Sequence, residues 1–438
     1  MAEPGGLGPD PRRVRDLRGL AGELDLCRVR AAAGTLRTRV SLEDLVRLVG
    51  LPRSTLHRYV TGRTLMPSAV LDRIVIALGA TPAEQREWNE AWYRLHGGGA
   101  PSVVPWCLPP PARGFTGRAR ESAALDGLVP SGEGVVLAAV TGGPGVGKTA
   151  LVVHWAHRVR ERFPDGCLFV DLCGYGPDRP LDPAQALGTL LGSLAPDEPV
   201  PAEPPVRVAR YRSLLARRKM LVLLDNASCA EQVRPLLPGA GAGMVVVTGR
   251  DDLAGLVAGD GAHPVGLDVL PPQDAVALLE NLLGPGRASP GLAWRCGLLP
   301  LALRVAALGG RVPAEGLGWL ETGDPRTDVR TVFSWSYRAV ADADPEAAAL
   351  FRALGRHRGA DVDLAIAAAL GHTTPERAGR LLATLVRANL VQVVPGGYRL
   401  PHLLAAYAAE LSADAGLRSA RGGCERLPLP PASRGLVS

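Results

Sequence analysis

The run Gly142-Gly143-Pro144-Gly145-Val146-Gly147-Lys148-Thr149 fits G-x-x-x-x-G-K-[ST] at every position, and nothing else in the chain narrows its fold so far. A glycine loop that opens a helix aims backbone N–H groups at the α- and β-phosphates of a nucleotide. A compact ammonium then reaches the β- and γ-oxygens, and a hydroxyl holds Mg²⁺. Lysine occurs only at Lys148 and Lys219, against a total of 49 basic residues, so a Lys in this loop marks a place that Arg would not serve. The competing explanation is a chance match, since 53 of the 438 residues are glycine. Context weighs against it. Gly134 to Val140 is a short apolar run suited to a buried parallel strand, and Ala150 to Arg162 reads as an amphipathic helix. Strand, loop and helix stand in the order that phosphate binding needs, and Ala150, the first helical residue, is counted with the loop as nucleotide-binding.

Two later strands complete such a site. Lys219 to Asn226 is an apolar run ending in Asp225, which would hold Mg²⁺ directly or through water. Met244 to Arg250 is another, ending in Arg250, placed to sense a γ-phosphate. Each alone reads equally well as an ordinary buried strand with a polar end; their order after the loop gives them meaning.

The net charge of +6 is unevenly spread. Between Pro11 and His96 fifteen arginines face nine acids, an excess of six, so the rest of the chain sums to zero. Within that basic segment, Pro52 to Arg63 contains no acid and follows Ser41 to Gly50. Ser41 with Asp44 forms a capping signal, Leu42, Leu45 and Val49 make one apolar stripe, and Gly50-Leu51-Pro52 ends one helix and starts another. The segment from Asp16 to Leu95 resembles the Cro/repressor-type helix-turn-helix family. That resemblance implies that Arg53, Ser54, Thr55, His57, Arg58 and Arg63 face double-stranded DNA while Leu56 and Tyr59 face the core. A small helical bundle whose arginines only solvate it, or a protein-binding domain of the same shape, is the plainer alternative. The connection Gly34 to Val40 is longer than the compact family pattern.

No stretch approaches the ~20 uninterrupted apolar residues that span a bilayer. Met1 to Asp10 is Gly/Pro-rich with acids where a secretory signal would be basic and then apolar, so a cytoplasmic protein is expected. Seven cysteines without a C-x-x-C pair suggest neither a disulfide framework nor a zinc site, and Cys167, Cys173 and Cys296 are expected to be small core residues.

Together the landmarks resemble the NB-ARC branch of the STAND signal-transduction NTPases, and bacterial transcriptional regulators that join such a module to a DNA-binding domain. Phe115 to Glu121, Phe169 to Tyr175, Cys296 to Leu303 and Val332 to Tyr337 add to the likeness, which spans Phe115 to Leu411. It implies that Arg118 and Pro300 pack around adenine, although Pro300 also reads as a helix-starting proline. It implies ATP or ADP with Mg²⁺ as ligands, self-association in the ATP state and a winged helix acting as a lid. Three departures stand out. Pro401 occupies the place of the family's phosphate-touching His and His402 that of its Asp, so either His402 takes over by a one-residue slip or the ADP-bound state leaks. Asn226 follows Asp225 where many relatives carry a second acid, which predicts slow hydrolysis. The tail carries no sensor repeats, so either the chain is a stub of such an architecture or it senses through a partner protein.

The expected architecture is multi-domain. A tail (1–14) precedes an all-α helix-turn-helix domain (15–96) and a Gly/Pro linker (97–114). An α/β P-loop nucleotide-binding domain with a parallel sheet (115–285), a small helical subdomain (286–322), a winged-helix lid (323–412) and a flexible tail (413–438) follow. Two functions fit: a nucleotide-switched transcriptional regulator, or a signalling or defence ATPase that its helix-turn-helix merely recruits.

Overall fold

The computed structural model describes residues 8–424 apart from 36, 98–103, 133, 197, 309–313, 315 and 358–360. The chain forms two compact units that part between Val104 and Pro105.

The first unit is all helical: α1 (Leu17–Ala31), α2 (Leu42–Val49), α3 (Arg53–Val60), α4 (Ser68–Ala77) and α5 (Pro82–Gly97). Each boundary has a local cause. Ser41 Oγ accepts from the Asp44 N–H at 3.1 Å to cap α2, and Gly50, at φ 69°, ends it in the left-handed conformation that a side chain disfavours. Leu20, Leu24, Leu45, Leu56, Leu71, Ile74 and Trp88 fill one core. One boundary differs from expectation. The segment Asp10 to Val14, expected to be tail, forms a 3-10 turn that packs against this core, with Pro11 and Val14 buried. Residues 1–7 of the expected tail lie outside the described residues.

The second unit is built on a parallel sheet. Its elements run α6 (Ala119–Leu128), β1 (Val136–Gly142), α7 (Lys148–Arg158), β2 (Cys167–Asp171), α8 (Pro183–Leu194), α9 (Pro204–Leu215), β3 (Leu221–Ala227), α10 (Ala230–Val233), β4 (Met244–Gly249), α11 (Ala254–Asp260) and β5 (His263–Leu267). The strand order is β2-β3-β4-β1-β5. Both faces are covered: Ala138, Val140, Leu221, Leu223 and Val246 pack to one side, and Leu137, Ala139, Val222, Leu224 and Val247 to the other. That double burial explains why the strands read as continuous apolar runs without alternation.

The chain continues through α12 (Pro272–Leu283), α13 (Pro290–Arg295), α14 (Pro300–Ala306), α15 (Val329–Ala343), α16 (Pro345–Leu354), β6 (Asp361–Val362), α17 (Leu364–Leu370), α18 (Pro375–Arg387), β7 (Gln392–Val394), β8 (Gly397–Arg399) and α19 (His402–Cys424). The three short strands form an antiparallel sheet in the order β6-β8-β7. Phe333, Phe351, Leu382 and Tyr407 belong to the same core as β1, α7 and β3, so the parts expected as separate subdomains share one apolar interior. The helix α19 runs past Ala413, where a flexible tail was expected, because the Ala-rich stretch from Ala405 to Ala420 favours helix. Residues 425–438 of that tail lie outside the described residues.

The expected linker also divides. Residues 98–103 are outside the described set, but from Pro105 the chain lies along β2: the Cys167 N–H donates to the Pro105 carbonyl at 2.8 Å and the Cys107 N–H to the Cys167 carbonyl at 3.0 Å. The Arg160 guanidinium sits over the Trp106 ring at 4.7 Å. This part of the proline-rich stretch is a strand-like edge of the second unit and not a tether.

Candidate functional site

The turn from β1 into α7 makes the phosphate loop. Gly142, Gly145 and Gly147 take φ of 153°, 79° and 92°, values closed to most side chains, so the glycines of the motif are demanded by the backbone itself. Lys148 and Thr149 open α7, and the Lys148 ammonium, buried under the loop, donates to the carbonyls of Gly142 and Gly143 at 2.8 and 2.9 Å. Because β4 lies beside β1 and β3 beside β4, all parallel, their C-terminal ends arrive at the same edge, where ligands of parallel sheets bind. There the Thr149 hydroxyl donates to Asp225 Oδ1 and Oδ2 at 2.9 and 3.0 Å, and the Thr248 hydroxyl donates to Oδ1 at 2.6 Å. Hydroxyl, carboxylate and ammonium therefore meet as a divalent cation with a nucleotide phosphate would require. Thr149 and Asp225 are the residues fitted to hold Mg²⁺.

These groups line a cleft of about 460 Å³ together with Gly145, Gly147, Asp171, Asn226 and Arg250, Ala150 of α7, and Pro300, Arg304, Arg326 and Trp335 from the later helices and the segment before α15. Pro300 starts α14 and also faces the cleft, so both readings of it hold. Gly143, Pro144 and Val146 border a second, smaller cavity, of about 50 Å³, together with Phe333, Asn389, Pro401 and His402. His402, at the start of α19, borders this cavity beside Pro401. Arg118 is buried behind the loop: its guanidinium donates to the Val146 carbonyl at 2.9 Å and the Asp268 carbonyl at 2.6 Å and pairs with Glu121 at 3.0 Å. It braces the loop backbone.

Arg250 is engaged with α15. It donates to the Val332 carbonyl at 2.7 Å and to Ser336 Oγ at 3.1 Å, and its guanidinium lies over the rings of Tyr175 (5.1 Å) and Trp335 (5.4 Å). Asn226, at φ 59°, turns its amide to Asp171 Oδ1 (3.3 Å) and the Tyr175 carbonyl (2.9 Å). Thr248, Asp171, Tyr175, Arg304 and Arg326 were not expected as site residues. The available signal was position: Asp171 and Thr248 close parallel strands as Asp225 does. Cys173, expected in the core, lines the cleft instead, whereas Cys167 and Cys296 are buried as expected. The difference arises because Cys173 lies past the end of β2, beyond the sheet that covers Cys167.

Burial dominates the electrostatics. It pulls the Lys148 ammonium down to about 7, with the Arg250 charge adding to the effect and Asp225 opposing it. Burial also raises the Asp225 carboxyl against the Thr248 and Thr149 hydrogen bonds, and lowers Arg250 to about 10. The sign for ligand binding follows. A phosphate beside Lys148 favours the charged amine and lifts its pKa, so above pH 7 binding takes up a proton and affinity falls as pH rises. For metal-free ADP the expected loss is up to about tenfold per pH unit between pH 7 and 9. Titration calorimetry in buffers of different ionisation enthalpy checks this. A pH-independent affinity, or a Lys148→Met variant with the parent's slope, would contradict it.

In the first unit, α3 follows α2 across the turn Gly50 to Pro52, with Leu56 fully buried and Tyr59 half-buried. Arg53, Ser54, His57, Arg58 and Arg63 are exposed and Thr55 is half-buried. Arg53 pairs with Glu43 at 3.3 Å with both side chains largely exposed, and Arg58 donates to Thr64 Oγ1 at 3.0 Å. Nearly all the expected contact residues therefore share one exposed helix and the turn after it.

The fold and site define a class: a helix-turn-helix domain joined to a P-loop NTPase domain with a parallel sheet. The sequence pattern of a family described as a helix-turn-helix domain matches residues 12–88. Within the class, the chain is similar to Regulatory protein AfsR of Streptomyces griseus, 38% identical over 76% of this chain. It is likewise 39% identical to Regulatory protein AfsR of Streptomyces coelicolor over 70% of this chain. The chain spans about a third of these relatives, 35% and 33% of their lengths. Among solved structures, a Walker-type ATPase of Pyrococcus abyssi overlaps with a TM-score of 0.48 at 15% identity, covering 69% of this chain and 98% of that one. A STAND protein with a tetratricopeptide repeat sensor from Pyrococcus horikoshii overlaps with a TM-score of 0.33 at 17% identity, covering 75% and 48%. These overlaps are too loose to assign any residue. No helix among the described residues is long and apolar enough to cross a membrane.

Proposed function

We propose that the chain is a transcriptional regulator whose grip on double-stranded DNA is switched by ATP and ADP. One observation carries the reading: the phosphate cleft is lined both by the P-loop and sheet edge and by α14, α15 and the segment before α15. A ligand that differs by one phosphate would touch the two sets of elements differently. Such differential contact is all that a two-state switch requires. The name Regulatory protein carried by the similar Streptomyces chains, and the exposed Arg-rich helix α3, support regulation at DNA.

In this reading Lys148 and the loop amides hold the β- and γ-phosphates, Thr149 and Asp225 hold Mg²⁺, and Arg250 reports the γ-phosphate by exchanging its α15 contacts for it. Arg118 and Pro300 frame the base side. The NB-ARC and STAND character belongs here too: residues from Val329 onward act as a winged-helix lid, closed over ADP with His402 at the loop. Opening in ATP exposes surfaces for self-association, and a partner protein supplies the signal. Hydrolysis, if slow, resets the switch.

The test is the nucleotide recovered on denaturing the freshly purified protein, followed by DNA retention with ADP or with ATP and Mg²⁺. Near-stoichiometric ADP and a DNA occupancy that differs between the two forms are expected. Equal occupancy with both nucleotides bound overturns the switch, and sustained DNA-stimulated turnover favours the recruited ATPase.

DNA contact through α3 carries its own expectation. Arg53→Ala and Arg58→Ala each weaken duplex binding by roughly tenfold at moderate salt, and each lost phosphate contact reduces the slope of log affinity against log salt by about 1. Filter binding across a salt series checks this. An affinity unchanged from low to high salt removes α3 from the interface.

A further inference from the structure

Asn226 leaves the site without the acid that would follow Asp225, and the geometry points to Asp171 as the group that takes its place. We propose that Asp171 is the catalytic base that orients and deprotonates the attacking water, with Asn226 as its positioning residue. The inference rests on the proposed ATP hydrolysis.

Three carboxylates line the phosphate cleft: Asp171, Asp178 and Asp225. Asp225 is buried and its oxygens accept from the Thr149 and Thr248 hydroxyls, which commits it to the metal position. Asp178 is largely exposed and paired with Arg326 at 3.0 Å. Asp171 remains. It closes β2 and stands directly opposite Asp225 in the parallel register of β2 and β3, so the two carboxylates leave adjacent strands at the same edge. Neighbouring strands lie about 4.8 Å apart, so Asp171 stands beside the metal-side carboxylate of Asp225 and lines the same cleft.

Its setting is built. Asp171 Oδ1 accepts the Cys173 N–H at 2.8 Å and the Asn226 amide at 3.3 Å, so both described bonds fall on one oxygen. Cys173 and Asn226 take φ of 52° and 59°, conformations costly for residues with side chains, and both direct a donor at that oxygen. The Asn226 amide is held in turn by the Tyr175 carbonyl at 2.9 Å, and its own N–H donates to Thr248 Oγ1 at 2.9 Å. An Asp at 226 would face Asp171 as a like charge. An Asn there donates, which fixes the orientation of the carboxylate. Asp171 is half-buried, open enough for water to reach it.

In the step itself, the water oxygen forms the new bond to the γ-phosphorus as the bond from that phosphorus to the β–γ bridging oxygen breaks. ADP leaves with the bond's electron pair, and the water proton passes to Asp171 and then to solvent.

The test uses the full chain with Mg²⁺ and ATP, measuring ATP affinity by equilibrium dialysis and single-turnover hydrolysis as a function of pH. Asp171→Asn is expected to slow hydrolysis roughly 10²–10⁴-fold, with ATP affinity kept within about threefold because the base contacts water and not phosphate. The exchange Asp171→Asn with Asn226→Asp is expected to recover at least about tenfold of the lost rate, since it returns a carboxylate to the same pair. Hydrolysis by Asp171→Asn within about twofold of the parent overturns the proposal, because a base contributes far more than that. A parent that binds ATP but turns it over no faster than Lys148→Ala overturns the proposal and leaves nucleotide binding intact. A parent that binds no nucleotide overturns both.

Discussion

Lys148→Ala is expected to lose bound nucleotide altogether while remaining folded. The ammonium is the one cation that emerges from the loop itself, and it lies buried on the Gly142 and Gly143 carbonyls, beside the path of the phosphates. Charge-assisted hydrogen bonds contribute about 1.5–3 kcal/mol each, so losing its contacts to two phosphates weakens affinity by roughly two orders of magnitude or more. Arg250 cannot substitute without leaving Val332 and Ser336, and Arg304 is bonded to the Arg113 carbonyl across the cleft. The stability of the nucleotide-free chain moves the other way or hardly at all. Burial already pulls the amine down to about 7, so removing it relieves a desolvation cost while two carbonyls lose a donor. Isothermal titration with ADP, beside urea unfolding of nucleotide-free protein, measures both. A variant that keeps the parent's affinity removes the loop from nucleotide binding.

Gly142→Ala is expected to give the largest loss of stability of any single methyl added to the second unit's phosphate edge. Gly142 ends β1 at φ 153°, and a Cβ there would stand 2.3 Å from the Leu267 carbonyl oxygen and 3.2 Å from its carbon. That obstacle is backbone, and Gly142 pairs with Leu267 in the β1–β5 register, so relief requires moving a strand and not a side chain. A cost of roughly 3–5 kcal/mol follows, in the range reserved for clashes that no rotamer relieves. At about 2–4 °C per kcal/mol for a large domain, the melting temperature drops by roughly 6–20 °C. Since the loop starts at Gly142, nucleotide retention falls with it. Gly266→Ala on β5 is the control, because nothing lies within 4 Å of its added carbon. Equal midpoints for the two variants in thermal and urea unfolding would contradict this backbone geometry.

The elements most legible in the sequence were those fixed by local patterns. A loop that needs positive φ at Gly145 and Gly147 announces itself in glycines, and strands buried on both faces announce themselves as β3 and β4 do. The α2-turn-α3 unit is equally local, set by the Ser41 cap, Gly50 and Pro52. What was illegible depends on partners distant in sequence. The strand β5, His263 to Leu267, is half exposed and mixes His, Pro and Gly, so only its pairing with β1 defines it. The segment after Pro105 reads as linker because prolines are rigid; only the edge of β2 tells where it lies. Arg250 was legible as a polar strand end, but its bonds to α15, more than 80 residues on, were not.

The sequence by itself therefore determined which local features are present: a glycine-rich loop of P-loop pattern, apolar strands with polar ends and an exposed basic helix, since each is encoded within a few consecutive residues. Only the tertiary structure decided how those parts act together. The strand order brings Asp171, Asp225 and Thr248 to one edge, and α14 and α15 line the same cleft. The physical reason is that periodicity and backbone conformation are written locally, whereas the burial that shifts Lys148 and the hydrogen bond that joins Asn226 to Asp171 exist only after distant strands pair.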